Sequence, residues 1–331
     1  NRLHLHLTDA AGWRLQVDSY PRLTSYAAWR TPHDWKGWWY GDRTFLDEGT
    51  EGASGGYLTK EEARELVKYA ADRYVTIIPE IEMPGHSDEV LAAYPELRCS
   101  HMPERQGDLC IGKEATFEMM QAILDEVIEI FPSEYIHIGG DEASKESWKL
   151  CEDCQRRMRE EGLENVDELQ SYMIHRMEEY LNSKGRQIIG WDEILQGGLA
   201  PNATVMSWRG EEGGRMAAAA GHNVIMSPHG YCYIDAPQDA PYSQPESIGG
   251  YLPLEKVYSY EPVPETLDEN VSKYISGVQA NLWAEFIVED DHYEHMLWPR
   301  AIAIAEIGWS MPENKDYADF RRRAVAIVDR M

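Results

Sequence analysis

Short apolar runs that end in glycine, an acid or an aromatic recur along this chain, separated by stretches with helical spacing. Leucine and histidine alternate from Leu3 to Leu7, which predicts a strand ending at Thr8-Asp9. Further runs predict strands from Val75 to Pro79, Tyr135 to Ile138, Gln187 to Gly190, Thr204 to Ser207, Asn223 to Ser227 and Gly277 to Leu282. Between them, a helix starts at the capping box of Thr59 with Glu62 and runs to about residue 72. A second, from about residue 115 to 130, places Met119, Ile123, Val127 and Ile130 on one face. A third spans about 166 to 183 and is closed by Gly185, and helices near 293–309 and 316–330 finish the chain. Two stretches carry no such pattern: about fifty residues after the first strand, rich in Trp and Tyr, and the segment 228–274. Loops of that length inside a compact domain are usually functional.

Seven strands alternating with helices predict an α/β protein of the (β/α)8 TIM-barrel class, one strand short. The missing strand is expected before Asn1, because the first predicted strand is too apolar for a solvent-exposed edge. With 331 residues and 43% hydrophobic content, one barrel domain over 1–331 is favoured over two small ones. The chain opens on a strand with no leader pattern, so upstream residues are expected to be absent from this sequence. No stretch approaches the roughly 18 apolar residues that cross a membrane. A formal charge of −27 repels phosphate backbones and anionic lipid, which argues against nucleic acid and membrane surfaces and for a neutral substrate. Eleven Trp and nineteen Tyr against five Phe favour rings with a flat apolar face and a hydrogen-bonding edge, as sugar sites use. Among the five cysteines, Cys99 and Cys110 flank a polar loop and can bridge. Cys151 and Cys154 form a Cys-x-x-Cys, but no second pair has ligand spacing, so neither a metal nor another cofactor is expected.

The chemistry gathers at the strand ends. Tyr135-Ile136-His137-Ile138 runs into Gly139-Gly140, where the backbone can turn, and then into Asp141-Glu142. Other ends carry Glu80, Glu82 and His86, then Trp191-Asp192-Glu193, Trp208-Arg209 and Trp283-Ala284-Glu285. Taken singly, these have plain readings: adjacent acids occur on solvated surfaces, a terminal Trp is commonly core, and a His after Pro-Gly is commonly structural. Barrels of this class build active sites at the C-terminal ends of their strands, so the convergence carries the argument.

Six motifs then resemble one family, in its order: HLHLTDAAGWRL (4–15), PEIEMPGHS (79–87), HIGGDEA (137–143), GWDEIL (190–195), SWRG (207–210) and NLWAE (281–285). They are similar to the β-N-acetylhexosaminidases of glycoside hydrolase family 20. This resemblance implies a retaining mechanism without an enzyme nucleophile, in which the substrate's 2-acetamido oxygen attacks the anomeric carbon and an oxazolinium ion forms. It implies Glu142 as general acid/base and Asp141 as the group that orients the acetamide N–H and offsets developing charge. Asp9 and His86 match a carboxylate–imidazole pair behind the acid. Trp191, Trp208 and Trp283 match aromatic walls around the N-acetyl group and under the sugar ring. Tyr233 fits a tyrosine that donates to the acetamide oxygen, with Tyr231 close by as the other candidate. Asp235 and Glu285 match carboxylates that bind the 4- and 6-hydroxyls, which implies exo-action. Asp192 and Glu193 can equally serve the site or start a helix.

Two departures stand out. An arginine that the family carries on its first strand has no counterpart here, and Glu82 stands where many members have Asp. The expected activity is removal of terminal β-linked N-acetylglucosamine or N-acetylgalactosamine from glycans or chitooligosaccharides. Other readings are lacto-N-biosidase-like release of a disaccharide and a non-catalytic sugar-binding relic. Sugar substrates and family precedent suggest export. Oligomeric state is not readable from the sequence.

Overall fold

The computed structural model describes residues 1–32, 34–101, 107–264 and 267–330. The chain divides into two compact units, Asn1–Thr204 and Val205–Met331. In the first, four parallel strands neighbour one another in sequence order: β1 (Arg2–His6), β2 (Thr76–Glu80), β3 (Tyr135–His137) and β4 (Gln187–Trp191). Ile77, Ile78, Ile136, Ile188 and Ile189 are buried, as expected where helices cover a parallel sheet and leave the strands continuously apolar. The expected helices are present as α1 (Lys60–Ala71), α2 (Glu114–Ile130) and, later in the unit, Val166–Ser183. The Thr59 side chain accepts from the Glu62 amide while Glu62 reaches back to the Thr59 backbone, so both capping-box bonds form. On α2, Met119, Ile123, Val127 and Ile130 are all buried, as their spacing predicts.

Among the helices not apparent from the apolar pattern are α3 (Glu146–Leu150) and α4 (Glu152–Glu161), which precede Val166–Ser183, here α5. α4 buries only Cys154 and Met158 and is otherwise charged, so its apolar stripe is too thin to read. The long stretch after β1 also holds structure: Thr8–Asp9 pairs with Gly12–Trp13, and Trp29–Arg30 with Ser54–Gly55. Trp13 and Trp38 there are fully buried. Cys99 and Cys110 are not bridged; all five cysteines are buried free thiols.

The second unit holds three parallel neighbours, β5 (Thr204–Ser207, which begins at the boundary), β6 (Val224–Met226) and β7 (Ile275–Val278). β7 ends before the expected Leu282 because the chain leaves the ladder: the Asn281 amide donates to the Cys232 carbonyl at 2.9 Å, and Asn281 bridges to Tyr233. The helix expected over 293–309 is two, α6 (Asp290–Leu297) and α7 (Arg300–Trp309). Pro299 divides them, since it has no N–H for a continuous helix.

Candidate active site

In the first unit, the turn after β3 is set by glycines. Gly139 and Gly140 have φ of 69° and 98°, and a Cβ on Gly139 would lie 1.8 Å from a Glu82 carboxylate oxygen. Gly85 is equally constrained: its Cβ would stand 2.8 Å from the Asp141 carbonyl oxygen, so the turn before His86 lies directly against the backbone that carries Asp141. His86 and Glu142 both have φ of 47°, a region that side chains disfavour.

This backbone brings Asp9, His86, Asp141 and Glu142 together. His86 Nδ1 lies 3.1 Å from Asp9 Oδ1, while Nε2 lies 3.4 Å from Asp141 Oδ2 and 3.3 Å from Glu142 Oε2. One imidazole thus joins the rear carboxylate to both acids after β3. Burial alone would depress the His86 pKa, but its contacts with Asp141, Asp9 and Glu142 outweigh that and hold it well above the ordinary value. Asp9 shifts the other way: burial opposes its charge, and the hydrogen bonds to His6 and His86 win, keeping it ionised.

Behind this group lies a web that the motifs did not reveal. Glu80, fully buried at the end of β2, has Oε2 2.6 Å from His6 Nδ1 and 2.8 Å from His4 Nε2. Its Oε1 is 3.0 Å from His137 Nδ1 and accepts the Trp191 indole N–H at 2.9 Å. Against the desolvation penalty, the charges of His137, His6 and His4 hold Glu80 well below the carboxylate range. The alternating histidines of β1 were the available signal: positions two apart on a strand share a face. Trp191 is itself 1% exposed, with its ring edge-on to His137 at 4.9 Å between centroids. Asp192 and Glu193 are buried in the short 3-10 turn Asp192–Leu195 that follows it.

Glu82 faces Asp141. Neither Glu82 Oε2 nor Asp141 Oδ1 has a hydrogen-bond donor when both groups are ionised. Burial, and then the charge of Asp141, raise Glu82 well above its ordinary value. A proton kept on Glu82 and shared with Asp141 satisfies both oxygens.

The second unit assembles the other expected residues. Tyr233 stacks on Trp208 at 6.1 Å and lies 6.0 Å from the Trp283 ring. Tyr231 instead stacks on Tyr260 at 4.9 Å, so Tyr233 is the tyrosine grouped with the tryptophans. Asp235, Trp283 and Glu285 line one hollow with Ser247, His292 and Met296. Asp235 is buried, and this desolvation pushes its pKa up to about 7. Beneath it, the fully buried Arg300 donates to the backbone carbonyls of Ile234, Ala236, Leu252 and Met296, pinning both ends of the segment that carries the hollow.

In each unit, acids and aromatics are carried just past the C-terminal ends of parallel strands that alternate with helices, the placement seen in enzymes of the (β/α)8 class. The catalytic-domain model of glycosyl hydrolase family 20 matches residues 1–312, and the chain belongs to that family. It is 46% identical to a β-hexosaminidase of Porphyromonas gingivalis over 98% of this chain and 41% of the relative. A β-hexosaminidase of Vibrio furnissii is 36% identical, over 93% of this chain and 51% of its own length. Among solved structures, a family 20 exo-β-N-acetylglucosaminidase from Vibrio harveyi, in complex with N-acetylglucosamine, matches with a TM-score of 0.87 at 30% identity. That match covers 99% of this chain and 52% of the other. The chain therefore spans about half the length of these relatives. No helix among the described residues is long and apolar enough to cross a membrane.

Proposed function

We propose that this chain is the catalytic part of an exo-acting, retaining β-N-acetylhexosaminidase that removes terminal β-linked N-acetylglucosamine or N-acetylgalactosamine from glycans or chitooligosaccharides. The observation that carries this reading is His86, placed within 3.4 Å of Asp9, Asp141 and Glu142 at once. Such an arrangement suits a reaction in which one acid moves a proton and its neighbour holds charge.

The acetamide oxygen of the substrate attacks C1 as the bond from C1 to the leaving oxygen breaks, and Glu142 delivers its proton to that oxygen. Glu142 has the exposure for this task, with 58% of its side chain open to solvent against 18% for Asp141. Asp141 accepts the acetamide N–H and offsets the positive charge of the oxazolinium ion. Water then attacks C1, giving its proton to Glu142, and the acetamide is restored. His86 with Asp9 holds both acids in place. Family resemblance assigns Tyr233 to the acetamide oxygen, Trp191, Trp208 and Trp283 to the walls, and Asp235 and Glu285 to sugar hydroxyls. We further propose that the enzyme is exported, since polymeric glycans are met outside the cytoplasm; fractionation of the producing cell tests this.

The deciding experiment is hydrolysis of p-nitrophenyl N-acetylglucosaminide with and without a thiazoline mimic of the cyclic intermediate. Release of p-nitrophenol that the mimic blocks supports the reading. Activity untouched by the mimic removes the acetamide from the mechanism, release of only a disaccharide from longer glycans points to a biosidase, and sugar binding without turnover points to a relic.

A further inference from the structure

Cys99, Cys110, Cys151 and Cys154 come from three separate segments of the first unit and converge in its interior, each 5% exposed or less. Cys99 follows the 3-10 turn Pro95–Leu97, Cys110 lies four residues before α2, and Cys151 and Cys154 bracket the first turn of α4. Their sulfurs lie 3.7 Å apart for Cys99–Cys154, 3.7 Å for Cys110–Cys151 and 3.6 Å for Cys110–Cys154, and all four fall within 4.8 Å of one another. A disulfide needs about 2.05 Å. Four sulfurs held at about 2.3 Å from a central ion, tetrahedrally, stand about 3.8 Å from one another, close to all three of these separations.

We propose that these four cysteines form a structural zinc site. The donor set is four soft thiolates with no position left for water or substrate, the pattern of a closed structural centre rather than a catalytic one. Its surroundings suit a cluster of negative charge. Cys151 is the N-cap of the ten-residue α4 and Cys154 lies in its first turn, where the helix dipole favours negative charge, and the Gly112 N–H bonds the Cys110 sulfur. Gly112 also has to be glycine: a Cβ there would lie 2.2 Å from the Cys154 nitrogen, so the turn that delivers Cys110 lies flat against the turn that delivers Cys154. Linear spacing hides the site because only one of its two halves is a Cys-x-x-Cys.

The site would brace the acids as well as the fold. Asp108, two residues before Cys110, accepts the amides of Ser144 and Lys145 at 3.1 and 2.8 Å, immediately beyond Asp141-Glu142. The Trp148 indole donates to the Leu109 carbonyl at 3.0 Å, and the Leu109 amide donates to the Pro84 carbonyl at 2.8 Å. Fixing Cys110 therefore fixes the segment that holds both the acid turn and the turn before His86.

The test is elemental analysis of the full-length protein purified without chelators, with zinc release on mercurial titration of its thiols. We expect about one zinc per chain, lost in Cys154→Ser and kept in Cys232→Ser, whose cysteine is buried outside the cluster. Cobalt exchanged into the wild-type protein should give the intense visible bands of tetrahedral thiolate coordination, a readout that stands even if Cys154→Ser does not fold. Metal-free protein with four reactive thiols, peptide maps showing Cys99–Cys154 and Cys110–Cys151 disulfides, or iron in place of zinc would each overturn the proposal.

Discussion

Asp9 and Glu80, in the first unit, meet imidazoles at 3.1 Å or less and stay ionised despite burial. Asp235, in the second, is buried at a hollow it shares with Trp283, Phe286 and Glu285 and is pushed up to about 7, with Arg300 only partly offsetting the penalty and Glu285 adding to it. The contrast teaches that burial alone does not decide the state of a carboxylate. Where the chain supplies histidines beside the buried acid, charge is retained; where burial is weakly compensated, the proton is.

The largest effect should come from breaking the first cluster. Glu142→Gln and Asp141→Ala are each expected to lower kcat by about 10²–10⁴-fold. Leaving-group dependence separates their roles: Glu142→Gln should spare activated aryl glycosides relative to natural linkages, and Asp141→Ala should not. Equal losses on both substrates in the Glu142 variant would contradict its assignment as the acid.

A smaller effect concerns pH. His86 has a raised pKa when folded, so its contribution to stability is complete below the unfolded value near 6.5 and is lost as pH rises through the folded value. Urea unfolding across that alkaline range should show wild-type stability falling by on the order of 1 kcal/mol more than His86→Asn, which lacks the linkage. Parallel curves would mean that the imidazole is not held as an imidazolium.

Asp235 should give a change in a different pH window. Its folded pKa of about 7 exceeds the unfolded one, so the folded state holds the extra proton between about pH 4 and pH 7 and stability falls as pH rises across that interval. Asp235→Asn should remove this decline and, if the residue contacts a sugar hydroxyl, raise KM more than it lowers kcat. A KM that does not move would take Asp235 out of substrate binding. Smallest and most local is Thr59→Ala, which deletes a cap outside both clusters; it should cost about 1 kcal/mol at every pH tested and leave kcat/KM unchanged.

Much of the architecture could be read in advance because short apolar runs and glycines mark strand ends physically. Gly139-Gly140 identified the turn that delivers Asp141 and Glu142, and Thr59 with Glu62 identified a helix start that forms both expected bonds. Pro299 could have divided α6 from α7 but was overridden by the helical spacing around it. The Glu80 web was missed because alternation reveals that His4 and His6 share a face without revealing what that face meets. α4 was missed because burial of two residues leaves no stripe, and with it went the meeting of four cysteines that are distant in sequence.

Glu142 sits at φ 47°, a conformation that costs a residue with a Cβ on the order of 1 kcal/mol and that glycine adopts freely. Its side chain is 58% exposed, so little packing would be lost on removing it. A chain with glycine at 142 should accordingly resist heat better than the natural one while being inert. The residue proposed to move the proton is thus one the fold would be better off without, and gains in thermal tolerance at this position would be a warning that function has been surrendered.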